Sequence, residues 1–309
     1  MTDKLRLLFI VPCHENNECL LDTISNIKKF NSNDEVFICI KINTTFEDFN
    51  PELFLLENVV TFSDKFGNHA KKHGSQFMAI INSYKFAKSQ FGKFDYVTIF
   101  HTSQLFIKHG YSTYIRDFDT SIKKENRFPF NYNLIRRPDE DLKDTFERIE
   151  NIGRQVPLDW NLNFNLMSAE DIRQKLFDYY NGKFHYAYTP IIEMQVFKNI
   201  FDDITNLNNY YYQGIEDSFY TGEIFDYMLE CIDTKFEIDV EVIESFFGFA
   251  GIEEIIIPTL AMSKAKRVGK NTIHWLNIPN CEISLEKCFS IKHVDRDYNN
   301  PWRIKVREM

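Results

Sequence analysis

The sequence predicts an α/β fold, a doubly wound and mostly parallel sheet flanked by helices. Three observations carry that prediction. Residues 5–11 (LRLLFIV) form a continuous apolar run closing on Pro12-Cys13-His14-Glu15, as a strand buried on both faces does. Strand-like and helix-like runs then alternate through residues 1–120, the pattern of parallel strands joined by crossover helices. Several strand-like runs also end in polar residues, the place where such sheets meet their ligands.

The elements follow in order. Residues 17–30 carry Leu20, Leu21, Ile24 and Ile27 at helical spacing. Residues 35–42 (EVFICIKI) give a second strand ending at Asn43, and residues 59–62 a shorter third. Residues 75–91 form an amphipathic helix with Phe77, Ile80, Ile81, Tyr84 and Ala87 on one face. Residues 96–100 (YVTIF) give a fourth strand, ending at His101-Thr102-Ser103-Gln104. The rim of the sheet is thus assigned to residues 13–15, 43–44 and 101–104. No G-x-G-x-x-G or G-x-x-x-x-G-K-[ST] occurs, which removes the simplest dinucleotide and P-loop readings. From residue 116 to about 206 the pattern weakens, with breaks at Arg136-Arg137-Pro138 and Val156-Pro157, and helices and loops over the sheet are expected. Tyr210-Tyr211-Tyr212 then leads to a helix-like run through Glu223, Phe225, Met228 and Leu229.

Composition narrows the function classes. Thirty Phe and 15 Tyr against 11 Gly and 9 Pro exclude collagen-like and disordered chains. A net charge of -9 argues against nucleic acid, whose binding relies on Lys and Arg displacing counterions. Any anionic ligand therefore needs a local basic patch. Cys13, Cys19, Cys39, Cys231, Cys281 and Cys288 show no C-x-x-C spacing and read as reduced, mostly buried thiols of a cytoplasmic protein. The apolar run at residues 7–11 is too short for a signal sequence, and no stretch approaches the ~20 apolar residues that span a bilayer. His69 and His73 are four apart but have no third ligand nearby, so no metal is assigned there.

Four groups of residues could carry chemistry. Glu253-Glu254 stand between a glycine-containing turn and an apolar run. Desolvation and a like-charged neighbour would raise a carboxyl pKa there, as a general base requires; an acidic pair complementing a helix dipole is the alternative. Lys292, His293, Arg296, Arg303, Lys305 and Arg307 could hold a diphosphate or form a solvated basic tail. Asp117-Phe118-Asp119 has a D-x-D spacing that can hold a cation, but follows a helix-like stretch rather than the rim, and Asp295-Arg296-Asp297 lies in the tail. Among the aromatics, Phe77, Tyr84, Phe86, Phe225 and Tyr227 read as core. Tyr210, Tyr211, Tyr212, Trp160, Trp275 and Trp302 could stack on a sugar or a base.

Several of these segments resemble a known family. Residues 9–18 (FIVPCHENNE) are similar to the opening strand and loop of bacterial capsule-type glycosyltransferases, which are akin to the core-2/I-branching N-acetylglucosaminyltransferases and peptide xylosyltransferases. Residues 38–43 (ICIKIN) match the second strand, with Asn43 where the family has Asp, and residues 94–107 resemble the strand and loop that replace a D-x-D. Residues 214–225 (GIEDSFYTGEIF) resemble the acceptor-side segment, with Asp217 where Gly is usual. Residues 253–259 (EEIIIPT) resemble the segment bearing the catalytic base, and residues 291–303 the basic end that contacts the donor diphosphate.

The resemblance implies a single GT-A-like catalytic domain over residues 1–309. Residues 1–120 would be its nucleotide-binding half and 121–205 a helical or loop insertion. Residues 206–309 would be the acceptor-side and catalytic half with its basic tail. It implies an inverting, metal-independent transfer from a nucleotide sugar, with a UDP-sugar the expected donor, to a saccharide hydroxyl in surface-polysaccharide or glycan synthesis. No cofactor and no metal are implied. Counting back from Thr259 places the base at Glu254. The donor would meet Pro12, His14, Asn43, Ser103, Gln104, Lys292, Arg296 and Arg303, with Lys264 in reserve, and the acceptor Glu216, Asp217, Glu253 and Tyr212. Partners are the nucleotide sugar and the saccharide, with peripheral contact to a lipid-linked acceptor. A metal-dependent D-x-D glycosyltransferase and a non-catalytic saccharide- or nucleotide-binding protein remain the alternatives.

Overall fold

The apolar run at the start of the chain is β1 (Arg6–Cys13), and the main sheet is built outward from it. The computed structural model describes residues 3–13, 16–43, 46, 48–63, 75–121, 127–129, 209–211, 214–215, 218–235, 253–277 and 284–309. The interior residues Leu7 to Val11 of β1 are each at most 2% exposed, because helices cover both faces. Leu7, Phe9 and Val11 join one apolar cluster with Leu20, Ile24 and Ile27 of α1 (Asn17–Phe30). On the other side, α2 (Ser75–Phe91) packs against β1 and β2 (Glu35–Ile42), burying Ile80, Ile81, Tyr84 and Ala87. Full burial of such a side chain contributes about 1.5–3 kcal/mol.

β1 lies between β2 and β4 (Tyr96–Ile99), parallel to both, and β3 (Val59–Phe62) continues the sheet beyond β2. At the other edge β8 (Phe219–Thr221) runs antiparallel to β4, giving the order β3-β2-β1-β4-β8. The expected doubly wound, mostly parallel sheet flanked by helices is therefore present. β1 extends two residues past the end of its apolar run and includes Pro12. Its last pairing with β4 is Ile10 to Ile99, and Phe100 N–H then donates to Ile10 O. The N–H that Pro12 lacks would face the β4 side beyond that point, so no ladder bond is lost.

After β4 the chain turns at residues 101–103, with Gln104 N–H on His101 O, and enters a second sheet. There β10 (Ser290–Lys292) lies between antiparallel β5 (Gln104–Phe106) and parallel β9 (Ile273–Trp275). The remaining described elements are a 3-10 turn (Pro51–Phe54), α3 (Tyr111–Ile115), the pair β6 (Arg127–Pro129) and β7 (Asn209–Tyr211), α4 (Gly222–Lys235), α5 (Glu253–Lys264) and α6 (Pro301–Glu308). Apart from β6, the 121–205 insertion past Ser121 lies outside the described residues.

Aromatic rings make much of the core. Phe100 stacks on Phe106 with centroids 4.9 Å apart, and Phe9 meets both edge-on at 5.9 Å. Tyr111 extends the row to Phe219. Tyr84 and Phe225 are fully buried against each other, while Phe86 is half-buried and stacks on Phe62. The five described cysteines, Cys13, Cys19, Cys39, Cys231 and Cys288, are buried, and burial pushes the Cys39 thiol up to about 12. No helix among the described residues is long and apolar enough to cross a membrane.

The C-terminal segment is ordered rather than a solvated tail. It forms β10, a loop, and then α6, whose N-cap Asn300 accepts from Trp302 N–H and is followed by Pro at the first helical position.

Candidate functional site

The order β3-β2-β1-β4 places a topological switch point between β1 and β4, where neighbouring connections leave in opposite directions and open a crevice at the carboxyl ends of the strands. Cys13, Asn43 and residues 100–103 lie at that rim. Asn43 N–H donates to Cys13 O at 2.8 Å and its carbonyl accepts from Phe46, so its backbone closes the β1–β2 end.

The tail reaches the same rim because the antiparallel β5–β10 ladder runs on past its last strand pair. Lys292 pairs with Gln104 in register, and Val294 N–H then donates to Ser103 O at 2.9 Å. Residues 293–296 are thereby laid across residues 101–103. His293 makes the turn with φ 66°, a left-handed backbone uncommon for a non-glycine residue. A cleft of about 450 Å³ results, lined by Asn16, Ser103, His293, Val294, Asp295 and Arg296.

Arg296 brings a guanidinium to this cleft. Its Nε donates to Thr102 Oγ1 at 3.0 Å. Its Nη2 lies 3.1 Å from His101 Nδ1 and 3.2 Å from Nε2, so the guanidinium rests against the imidazole as much as it bonds to it. Ser103 in turn places Oγ 2.9 Å from His101 Nδ1 and donates its N–H to the same nitrogen. The Arg296 carbonyl accepts from Asn16 Nδ2 at 2.9 Å and from the Cys19 thiol at 3.0 Å. Burial raises the Cys19 pKa, which keeps that thiol a donor. Asn16 is also the N-cap of α1, accepting from Cys19 N–H, so the positive end of the helix dipole adjoins the cleft. A guanidinium, a hydroxyl, an amide and a helix N-terminus at one rim favour an anion with several oxygens.

Among the donor residues expected from sequence, Ser103 and Arg296 line this cleft together, and Asn43 and Pro12 lie at the strand ends. Three others are buried. Gln104 is 2% exposed, and its Nε2 donates to Ser290 Oγ inside the second sheet. Lys292 is 6% exposed with Nζ 4.3 Å from the Trp275 ring centroid, because strand alternation turns it away from the cleft. Arg303 has no exposed side-chain surface and is ion-paired with Asp22 at 2.7 Å. The reserve Lys264 lies over the Tyr227 ring at 5.0 Å.

Trp275 carries Lys292 and His293 against its ring, and Trp302 packs against the core. Glu253 and Glu254 occupy the first turn of α5, the position at which an acidic pair complements the dipole. Their side chains, with His14, Glu216, Asp217, Tyr212, Trp160, Cys281, His69 and His73, lie outside the described residues.

Asn16, His101 and Thr102 were not singled out as ligand-facing from sequence, whereas His293 was read as part of the basic cluster that could hold a diphosphate. Asn16 had a signal, since an Asn before a helical run is a cap. His101 had only its rim position. Among the described residues no group of three or more His, Cys, Asp or Glu could hold a metal ion. Asp119, the second acid of the D-x-D, is bound on both oxygens by Lys266 and Arg267 groups.

No family model and no curated protein matches the chain. Among solved structures it is similar to the galactosyltransferase LgtC in complex with donor and acceptor sugar analogues, at 7% identity and a TM-score of 0.42, over 97% of this chain and 94% of that one.

Proposed function

We propose that the protein is an inverting glycosyltransferase that moves a sugar from a nucleotide diphosphate, with UDP as the expected carrier, to a saccharide hydroxyl. The observation that carries this reading is the position of Arg296. It is a cation set beside His101 and Ser103 at the switch point of a parallel sheet, in a protein whose net charge is -9. In an acidic chain, a local cation at the ligand-binding edge of such a sheet fits a small polyanion. The sequence resemblance to capsule-type glycosyltransferases supplies the chemistry.

In this reading the diphosphate lies against Arg296, Ser103 and the α1 N-terminus, with Pro12, His14 and Asn43 toward the nucleoside. Glu254 accepts the proton of the acceptor hydroxyl as its oxygen bonds to the anomeric carbon. The bond from that carbon to the diphosphate oxygen breaks on the opposite face, and its electrons leave with the nucleotide, so the anomeric configuration inverts. General-base assistance of this kind contributes ~10²–10⁴-fold. Arg296 meets the charge that develops on the leaving diphosphate, a role worth about 3–4 kcal/mol for one preorganised donor. Glu216, Asp217, Glu253 and Tyr212 hold the acceptor. The acceptor would be a saccharide of a surface polysaccharide or related glycan, reached peripherally where it is lipid-linked.

A thermal-shift panel of UDP-, GDP-, CMP- and TDP-sugars tests the reading. The expected outcome is stabilisation by one nucleotide class, strongest with UDP. No response to any of them would favour a non-catalytic role and overturn the proposal.

A further inference from the structure

The guanidinium of Arg303 is wholly enclosed and its donors are directed at three segments of the chain. Nη1 donates to Asp22 Oδ2 on α1 at 2.7 Å, Nε to Asp295 O at 3.0 Å, and Nη2 to Thr102 O. The two carbonyls are those of the peptide units that carry the nitrogens of Arg296 and Ser103. One rigid planar cation thus grips the peptide just before each of two residues that line the cleft. Asp22, nearly buried itself, fixes the cation and receives a second guanidinium, that of Arg307, at 3.4 Å. A lysine could keep the charge, but its single ammonium lacks the planar fork that reaches both carbonyls and the carboxylate in one geometry.

We propose that Arg303 is the positioning residue of the diphosphate cleft: it sets the separation of Ser103 and Arg296 and touches no ligand. The proposal rests on the reading of that cleft as the donor site. It replaces the direct donor contact expected of Arg303 from sequence with an indirect one, through the backbone.

The test compares the wild type with Arg303→Lys and Arg303→Ala, using UDP as probe. Arg303 also borders a second cavity of about 460 Å³ between α1 and α6, lined in part by Leu21, Leu105 and Val306. Truncation to alanine would open the vacated space into that cavity, so free ethylguanidinium can enter. Both variants are expected to bind UDP at least about tenfold more weakly by calorimetry. Ethylguanidinium should restore much of the affinity of Arg303→Ala and leave the wild type unchanged. Hydrogen–deuterium exchange, which needs no nucleotide, should quicken in segments 101–106 and 290–297 of Arg303→Lys and stay unchanged in segment 35–42.

A folded Arg303→Lys that binds UDP and exchanges as the wild type does would overturn the proposal. So would ethylguanidinium that restores the melting temperature of Arg303→Ala without its affinity. If Arg303→Ala does not fold, Arg303→Lys carries the decision. If the wild type does not bind UDP, the donor reading fails, and the exchange pattern alone decides the positioning role.

Discussion

Arg267 closes on Asp119 from two sides: its backbone N–H donates to Asp119 Oδ2 at 2.9 Å and its guanidinium to Oδ1 at 3.0 Å. Lys266 N–H adds a bond to Oδ2 at 2.8 Å. The Asp119 backbone is committed as well, its N–H to Arg267 O and its carbonyl to Thr221 N–H of β8. Asp119 therefore clasps the end of α3 to β8 and to the loop after α5. Burial alone would raise its pKa, but the two amides and the guanidinium outweigh burial and hold the carboxyl below the usual range.

The sign of the pH effect follows. A carboxyl whose folded pKa is depressed stabilises the fold fully above its unfolded pKa and loses that contribution as pH falls through the folded value. Asp119→Asn should cost about 1–2 kcal/mol at pH 7. Its stability should also fall less steeply than the wild type's below about pH 4. Urea titrations of both proteins from neutral to acid pH check this.

The clasp also bears on metals. With both Asp119 oxygens held by protein donors, glycosyl transfer is expected to proceed unchanged in EDTA. Activity lost in chelator and regained with Mn²⁺ or Mg²⁺ would return the D-x-D to consideration.

Glu254→Gln should lower transfer by ~10²–10⁴-fold while UDP affinity stays within about twofold, because in the proposed mechanism the base acts on the acceptor and not on the nucleotide. A product assay beside calorimetry separates the two effects. If the variant kept substantial activity, the base would be sought at Glu253 or Glu216.

Arg296→Ala removes the cation from the cleft and should weaken UDP binding about tenfold or more, ~1.4 kcal/mol per factor of ten. The remaining affinity should also depend less on salt. An unchanged dissociation constant would move the diphosphate elsewhere.

Gly222 opens α4 against the turn before β4, where a Cβ would lie 2.0 Å from the Phe94 carbonyl oxygen. Backbone on both sides leaves little room to yield, so Gly222→Ala is expected to cost about 3 kcal/mol. A lower urea midpoint with an unchanged slope is the expected readout.

Residues 35–42, 59–62 and 75–91 were legible as elements because period and apolar content agree there. A continuous run such as LRLLFIV has few other uses than a strand covered on both faces. The second sheet was not legible. Its strands are three residues each, and β5 is drawn from a segment that reads as the loop after β4. Arg296 and Arg303 looked alike in sequence, two arginines in one basic stretch. Only the buried Asp22, on a distant helix, separates a cation that faces a cleft from one enclosed beneath it. The burial of Gln104 and Lys292 was not legible for a related reason, since an unrecognised strand hides the alternation that turns a side chain inward.

The bond from Asn16 to Arg296 joins residues 280 apart in sequence, whereas β1 meets the start of β2 through Leu5 and Asp34, only 29 apart. Closing the longer loop costs about 2 kcal/mol more chain entropy, at ~0.6 kcal/mol per doubling of length. The sheet can thus assemble from near neighbours while the crevice still lacks one wall. The wall that carries Arg296 therefore rests on the costlier closure, that of the tail onto the start of α1. Chain length alone thus separates the framework, which needs only short closures, from the cleft, which needs a long one.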